Sequence, residues 1–85
     1  IQSVIIDCKK VYENWDDLPE DCKQICANMM FNLGLPRYSK FRKHIQAVMD
    51  GNWKESANQM RQSKWYHQVT NRAERLAFRM ENIVD

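Results

Sequence analysis

Glycine and proline are scarce in this sequence, with two of each among 85 residues. Their scarcity excludes collagen-like and low-complexity chains. Long hydrophobic runs are also missing, and no apolar stretch approaches the roughly 18 residues that a membrane-spanning helix needs. We expect no secretory signal peptide in residues 1–7, because Asp7 interrupts a very short apolar stretch. Since the first residue is not methionine, we expect a processed chain or a piece of a longer protein.

The charge balance differs between the two parts of the chain. Residues 1–36 carry three Lys/Arg against six Asp/Glu, a net charge of −3, and residues 37–85 carry ten against five, a net charge of +5. A basic segment favours polyanionic partners such as nucleic acid, a membrane surface or the bacterial cell wall. Scattered Lys and Arg on solvated helix faces would give the same balance. The nine aromatic residues and the 28% charged fraction argue against disorder.

The sequence offers no self-contained catalytic or metal site. It lacks a Gly-rich phosphate loop, a His pair at helical spacing and a Ser-His-Asp arrangement. Cys22 and Cys26 would share a helix face, but no Cys/His set supplies zinc-finger spacing. We therefore expect no metal and no cofactor. Cys26 is interpreted as a free, buried thiol, and Cys8 could join a disulfide if the protein is secreted.

Apolar residues recur at the period of an α-helix, and alternation typical of strands is nearly absent. This pattern predicts an all-α fold, a compact bundle of five to six short helices in one domain, 1–85. The segments are about 1–11, 20–33, 39–50, 53–62 and 71–83, with one turn or short helix over 63–68. Thr70 or Asn71 is the predicted N-cap of the last helix, with Glu74 completing a capping box if Asn71 is the cap.

The predicted core consists of the residues that repeat on one face of each helix. These are Cys22, Ile25, Cys26, Met29, Met30 and Leu33, then Phe41, Ile45, Val48 and Met49, then Trp53, Ala57 and Met60, and finally Ala73, Leu76, Ala77, Met80 and Ile83. Gly34 is the predicted stop of the helix over 20–33.

Segment 63–75 combines features suited to a carbohydrate or an acidic partner. Aromatic side chains stack on sugar rings, amides bond hydroxyl and N-acetyl groups, and arginines hold carboxylates bidentately. The segment contains Trp65, Tyr66 and Gln68, with Arg72 and Arg75 on one helix face. A structural role explains the same residues, with Trp65 in the core and Arg72 as an ion-pair partner at the helix start.

The same segment, read as Ser-x-Trp-Tyr-x-Gln-x-x-Asn-Arg-Ala-x-Arg, resembles the signature of the phage-type lysozymes, the T-even phage muramidase family. The match continues upstream without a gap. Residues 26–34 resemble the long buried helix of the family's C-terminal lobe and the glycine that ends it. Phe41 and residues 53–57 fall at the family's spacing. The resemblance covers roughly residues 11–80.

The resemblance implies a C-terminal lobe over 12–85, with 1–11 as the end of the helix that joins two lobes. It implies hydrolysis of the β-1,4 bond between N-acetylmuramic acid and N-acetylglucosamine in bacterial peptidoglycan. Family positions that contact the glycan or its peptide correspond to Phe31, His44 and Gln59, and Gln68 lies near the matching arginine. His44 replaces a small hydroxyl residue, and Gln59 replaces Asn. Arg72 matches the arginine that pairs with the catalytic glutamate.

The resemblance also implies what this sequence does not contain. The family's general-acid Glu, with its following Asp and Thr, belongs to an N-terminal lobe that nothing in residues 1–85 matches. Glycoside hydrolysis needs two carboxyl groups flanking the bond. We therefore expect one wall of a substrate cleft, an inactive chain in isolation, and a catalytic lobe as partner. The setting would be a host cytoplasm and cell wall for a phage enzyme, or secretion for an antibacterial one.

Two alternatives stay open at this point. The chain could be a non-catalytic glycan-binding or regulatory module derived from that lobe. It could also be a helical interaction domain whose basic part contacts nucleic acid, although we expect no nucleic-acid partner.

Overall fold

The computed structural model describes residues 2–84, with side chains from Ser3 onward. This part of the chain forms six α-helices and one short 3₁₀ turn, with no strand, so the predicted all-α fold is confirmed. Ile1 and Asp85, the ends of the predicted domain, lie outside the described residues. The helices are α1 (Gln2–Val11), α2 (Glu20–Leu33), α3 (Leu35–Tyr38), α4 (Arg42–Met49), α5 (Trp53–Arg61) and α6 (Lys64–Glu81), and the 3₁₀ turn is Trp15–Asp17.

Helix α2 lies at the centre of the core and ends at the predicted glycine. All six residues of its predicted apolar stripe are buried. Gly34 adopts φ +79° and ψ 159°, a region that essentially only glycine occupies, and its N–H donates to the Met30 carbonyl at 2.8 Å. The chain then enters α3, which the periodicity did not predict. The helix expected over 39–50 accordingly begins only at Arg42, where α4 starts.

The last helix differs from the prediction because a different residue caps it. Ser63 is the N-cap, and its hydroxyl accepts the Tyr66 N–H at 3.1 Å, so α6 starts at Lys64 rather than at residue 71. Val69 has non-helical angles, φ −118° and ψ 18°, and kinks the helix where the prediction placed a break. The predicted caps at Thr70 and Asn71 are therefore wrong. The predicted cap of α5 is confirmed, since the Asn52 side chain accepts the Glu55 N–H at 3.3 Å.

The core forms where α5 packs along α6 and α4, and where α2 contacts α1, α3 and α6. The predicted core residues of α5 and α6 are buried, and Ile83, which follows the end of α6, packs half-buried against the core. Val48 is buried, Phe41 and Ile45 are half-buried, and Met49 is 38% exposed. Met49 is the last residue of α4, and the prediction that it faces the core is wrong.

All three cysteines are free and buried, as interpreted for Cys26. Burial raises the pKa of the Cys8 thiol to about 12, which keeps it protonated. Within residues 2–84, no helix is long and apolar enough to cross a bilayer. The same range contains no cluster of three or more His, Cys, Asp or Glu side chains that could hold a metal ion.

Candidate functional site

Two depressions flank the C-terminal end of α2. We call the first the apolar cleft, with a volume of about 610 Å³, and the second the basic groove, with a volume of about 670 Å³. The cleft is lined by Val4, Ile5, Gln24, Ala27, Asn28, Phe31, Asn32 and Arg72. The groove is lined by Leu33, Arg37, Lys40, Phe41, Arg42, Lys43, His44, Gln59, Gln62, Ser63, Lys64 and Trp65. Since Asn32 lines one and Leu33 the other, the end of α2 separates them.

The apolar cleft exposes hydrophobic surface that a lone helical domain would usually cover. Phe31 projects from α2 with 65% of its surface exposed, beside the half-buried Val4 and Ile5 of α1. Ile6 of α1 is 54% exposed as well. Contiguous exposed apolar surface with a polar rim is typical of an interaction site. The cleft therefore offers a face on which a second lobe or protein could pack.

Arg72 lies at the polar rim of the apolar cleft. Its Nη1 donates to the Asn32 Oδ1 at 3.1 Å, and the Asn32 amide nitrogen is itself bound by the Asn28 carbonyl and side-chain oxygens, each at 2.9 Å. No carboxylate among the described side chains pairs with Arg72. Arg72 therefore contacts the Asn32 amide and does not form the ion pair at a helix start that a structural role would predict. The guanidinium is held at the cleft and keeps N–H groups for a further acceptor.

Strong positive charge distinguishes the basic groove. Five exposed cations line it, namely Arg37, Lys40, Arg42, Lys43 and Lys64, and no acidic residue among the described side chains does. None of the five forms an ion pair within the described part of the chain. Three cations elsewhere do, since Lys10 pairs with Asp7, Arg61 with two glutamates, and Arg79 with Asp21. The groove therefore carries five positive charges that are unpaired among the described side chains, against one, Arg72, at the apolar cleft.

His44 closes the floor of the basic groove as part of a buried polar network. Its Nε2 lies 3.0 Å from the Tyr38 hydroxyl, and its Nδ1 lies 2.8 Å from the Ser56 hydroxyl. The Tyr38 hydroxyl in turn lies 2.7 Å from that of Tyr12. Each of these four side chains is at most 1% exposed.

This burial argues against the prediction that His44 contacts a glycan or its peptide. Only 1% of His44 is exposed, and both ring nitrogens already have partners within the protein. A ring in this position has no nitrogen to offer a ligand, so we assign it to the support of the groove. Its place in the sequence signals this burial, because it lies on α4 three residues after Phe41 and four before Val48.

The remaining predicted contact residues are distributed over different surfaces. Phe31 and Arg72 share the apolar cleft. Gln59 is half-buried in the basic groove, where its Nε2 donates to the Glu55 Oε2 at 2.6 Å. Gln68 is exposed on α6, one turn before Arg72, and lines neither depression.

One buried donor at the basic groove lacks an acceptor. Trp65 is 3% exposed, and its indole N–H has no partner among the described residues. A buried polar group left unpaired costs about 1–3 kcal/mol, so such groups are rare in native structures. Nothing in the sequence identifies this donor in advance, because an indole at the core usually finds an acceptor.

Arg61 forms an ion-pair clamp that the sequence analysis missed. It binds Glu74 through contacts of 3.0 and 2.8 Å and Glu81 through contacts of 2.8 and 3.0 Å, which ties the end of α5 to the part of α6 that follows the kink at Val69. The Tyr66 hydroxyl adds a bond to Glu74 at 2.7 Å. The hydrogen bonds from Arg61, and to a smaller extent the one from Tyr66, lower the pKa of the Glu74 carboxyl to about 2. Glu74 therefore joins helices and does not complete the predicted capping box.

Comparison with known proteins finds relatives named as lysozymes. The chain is 30% identical over 66 residues to a probable T4-type lysozyme 1 of Dictyostelium discoideum, and 31% identical over 62 residues to a probable T4-type lysozyme 2 of the same organism. It is 30% identical over 67 residues to the pre-baseplate central spike protein Gp5 of Enterobacteria phage T4. No family model and no solved structure matches the chain.

These matches cover most of this chain but a minor part of each relative. They span 78%, 73% and 79% of the chain, and 37%, 36% and 12% of the respective relatives. The chain thus spans little more than a third of the length of the two lysozymes it matches.

Proposed function

We propose that this chain, which is phage-lysozyme-like over about three quarters of its length, is the C-terminal lobe of an endo-acting muramidase. The enzyme would hydrolyse the β-1,4 bond between N-acetylmuramic acid and N-acetylglucosamine in bacterial peptidoglycan. This lobe would supply one wall of the substrate cleft, and a separate lobe would carry the catalytic carboxyl groups. In this assignment α1 is the end of the inter-lobe helix, and residues 12–85 form the lobe.

The position of Arg72 is the observation that carries the proposal. An exposed arginine, with no carboxylate partner among the described side chains, lies at the rim of an open cleft lined by apolar residues and amides. Arginine binds carboxylates through two parallel hydrogen bonds, which fixes the orientation of the acid as well as its charge. A glutamate from a catalytic lobe seated on Val4 and Ile5 of α1 would meet this guanidinium. Arg72 would then position the general acid.

Three side chains remain as proposed substrate contacts. Phe31 supplies an exposed aromatic face, and Gln59 and Gln68 supply amides, which suit the hydroxyl and N-acetyl groups of a glycan. Gln59 lies in the basic groove and Phe31 in the apolar cleft, so a long glycan would cross the end of α2.

Substitution of Arg72 by alanine in the full-length parent tests the proposal. The variant should lose activity on the order of tenfold to a hundredfold, because a misplaced catalytic group has effects of that size. Its thermal stability should change little, by about 0.5 kcal/mol or less, since Arg72 makes one exposed hydrogen bond. The assay is reducing-end release from purified peptidoglycan, per folded molecule.

Arg75→Ala is the matched control, because Arg75 is exposed on the same helix and lines neither depression. The proposal fails if both variants keep the parent's activity. It also fails if Arg72→Ala collapses in stability while activity per folded molecule is unchanged. The 85-residue chain alone should release no reducing ends, and release by it would refute the missing-lobe assignment.

A glycan-binding module without catalysis is the second candidate. The observation that favours it is the groove itself, an open depression with an amide and cations that is present without any second lobe. In this case the isolated chain should pellet with insoluble peptidoglycan, and Phe31→Ala and Gln59→Ala should each weaken pelleting. Unaltered pelleting in both variants would remove these two contacts.

A further inference from the structure

We propose that the basic groove binds a polyol-phosphate polymer, a chain of phosphodiesters whose linking units carry free hydroxyl groups. This ligand is chemically distinct from the peptidoglycan strand. Its site is separate from the cleft that contains Arg72 and overlaps the proposed glycan contacts only at Gln59. The proposal rests on the proposed function only for its setting at a bacterial cell wall. The binding chemistry follows from the groove alone.

The charge of the groove selects a polyanion. All five of its cations are exposed and, among residues 2–84, free of ion pairs, so they attract an anionic ligand without first breaking an internal contact. A groove of one charge sign concentrates the opposite charge and raises the rate of encounter. The five cations lie on α3, on α4, on α6 and on the turn between α3 and α4. A ligand with a repeated phosphate can contact several of them at once, whereas a single carboxylate would occupy only one.

The polar groups between the cations select a ligand with hydroxyls. Gln59 and Gln62 line the groove with amides that both donate and accept. Inorganic phosphate chains have no hydroxyl groups, so these amides favour a polymer with a polyol linker.

The aromatic residues of the groove argue against single-stranded nucleic acid. Proteins that bind such strands stack the bases on exposed aromatic faces. Here Trp65 is 3% exposed, and Phe41 is half-buried with its ring against Tyr38 and His44. The groove therefore offers charge and amides for a backbone but no open aromatic face for a base.

The experiment measures binding of poly(ribitol phosphate) to the full 85-residue chain as a function of salt. The groove variant replaces Lys40, Arg42 and Lys43 together with glutamine. These exposed residues have no ion pairs to lose, so circular dichroism should confirm an unchanged fold. Affinity at low salt should fall by about tenfold to about a hundredfold, and the slope of log affinity against log salt should decrease by about 3.

The matched control replaces Lys9, Lys54 and Arg75 with glutamine. These residues are exposed and line none of the described depressions, so the control leaves the groove intact. Because it also removes three positive charges, it has the same net charge as the groove variant. It should keep most of the affinity. Equal losses in the two triple variants would overturn the proposal, because attraction would then depend on net charge and not on the groove. No measurable binding to the unmodified chain would overturn it as well.

Gln62→Ala tests the preference for hydroxyl groups. It should weaken poly(ribitol phosphate) binding by about twofold to tenfold, the effect of one hydrogen bond, and leave inorganic polyphosphate binding unchanged. An equal effect on both polymers would refute hydroxyl recognition. Groove-dependent binding of oligodeoxythymidylate as tight as that of poly(ribitol phosphate) would replace the proposal with a nucleic-acid site. The muramidase assignment is tested separately, by reducing-end release from peptidoglycan stripped of phosphate polymers with the full-length parent.

Discussion

Replacing Tyr38 with phenylalanine should reveal how firmly the buried network holds His44. The Tyr38 hydroxyl is the central member of that network, with the Tyr12 hydroxyl at 2.7 Å and the His44 Nε2 at 3.0 Å. The substitution removes one oxygen atom and leaves the aromatic ring in place. Packing therefore changes little, and the loss reports mainly on the hydrogen bonds.

The expected loss follows from the two contacts. A buried hydrogen bond contributes about 0.5–1.5 kcal/mol net, and a buried group left unpaired costs about 1–3 kcal/mol. Tyr12 keeps a weak contact with the Cys26 sulfur at 3.9 Å, whereas the His44 Nε2 loses its partner. We expect Tyr38→Phe to lower the free energy of unfolding by about 2 kcal/mol. In a domain of this size that corresponds to a fall of about 8–16 °C in the thermal midpoint.

The assay is urea and thermal unfolding followed by circular dichroism. Tyr66→Phe is the matched control, because it removes the same atom from a part-buried pair with Glu74 near the surface. The control should lose clearly less stability than Tyr38→Phe. Equal losses, or no loss in Tyr38→Phe, would refute the reasoning and return His44 to the possible ligand contacts.

Two further predictions concern the helix junctions. Arg61 holds the pKa of Glu74 at about 2, below the ordinary 4.5, so the ion-pair clamp contributes its full stability above pH about 4.5 and loses it as pH falls towards about 2. Across that window the thermal midpoint of the unmodified chain should fall more steeply than that of Glu74→Gln, and parallel curves would contradict the clamp. Gly34→Ala should lower stability by about 1–3 kcal/mol in urea unfolding, because φ +79° with ψ 159° strains any residue with a Cβ. The nearest atom to that Cβ is 4.0 Å away, so the expected loss comes from backbone strain and not from a clash. An unchanged urea midpoint would contradict the prediction and mean that the backbone relaxes at this position.

The helical fold and the main core could be predicted because they depend on local periodicity. The stripe of α2, the stop at Gly34 and the α5 cap at Asn52 each follow from residues a few positions apart. The predicted caps of the last helix failed because several equally good local signals compete there. Ser63, Thr70 and Asn71 all suit an N-cap, and the burial of Trp65 in the first turn of α6 goes with the cap at Ser63.

The candidate site could be predicted only in part. The sequence pattern and the resemblance singled out Arg72 and Phe31, and the structure places both in one cleft. Neither could indicate that Asn32 would hold Arg72, because the two residues are 40 positions apart. The resemblance also assigned His44 to the substrate, whereas the structure buries it and gives both ring nitrogens partners within the protein.

The sequence by itself determined that this chain is helical, which faces of its helices are buried, and that it is lysozyme-like over most of its length. Only the tertiary structure decided how side chains meet across helices. The Arg61 clamp, the His44 network and the basic groove combine residues from separate helices and turns, and their distances depend on how α4, α5 and α6 pack. Periodicity reports which side of a helix faces inward. It carries no information on what that side will touch.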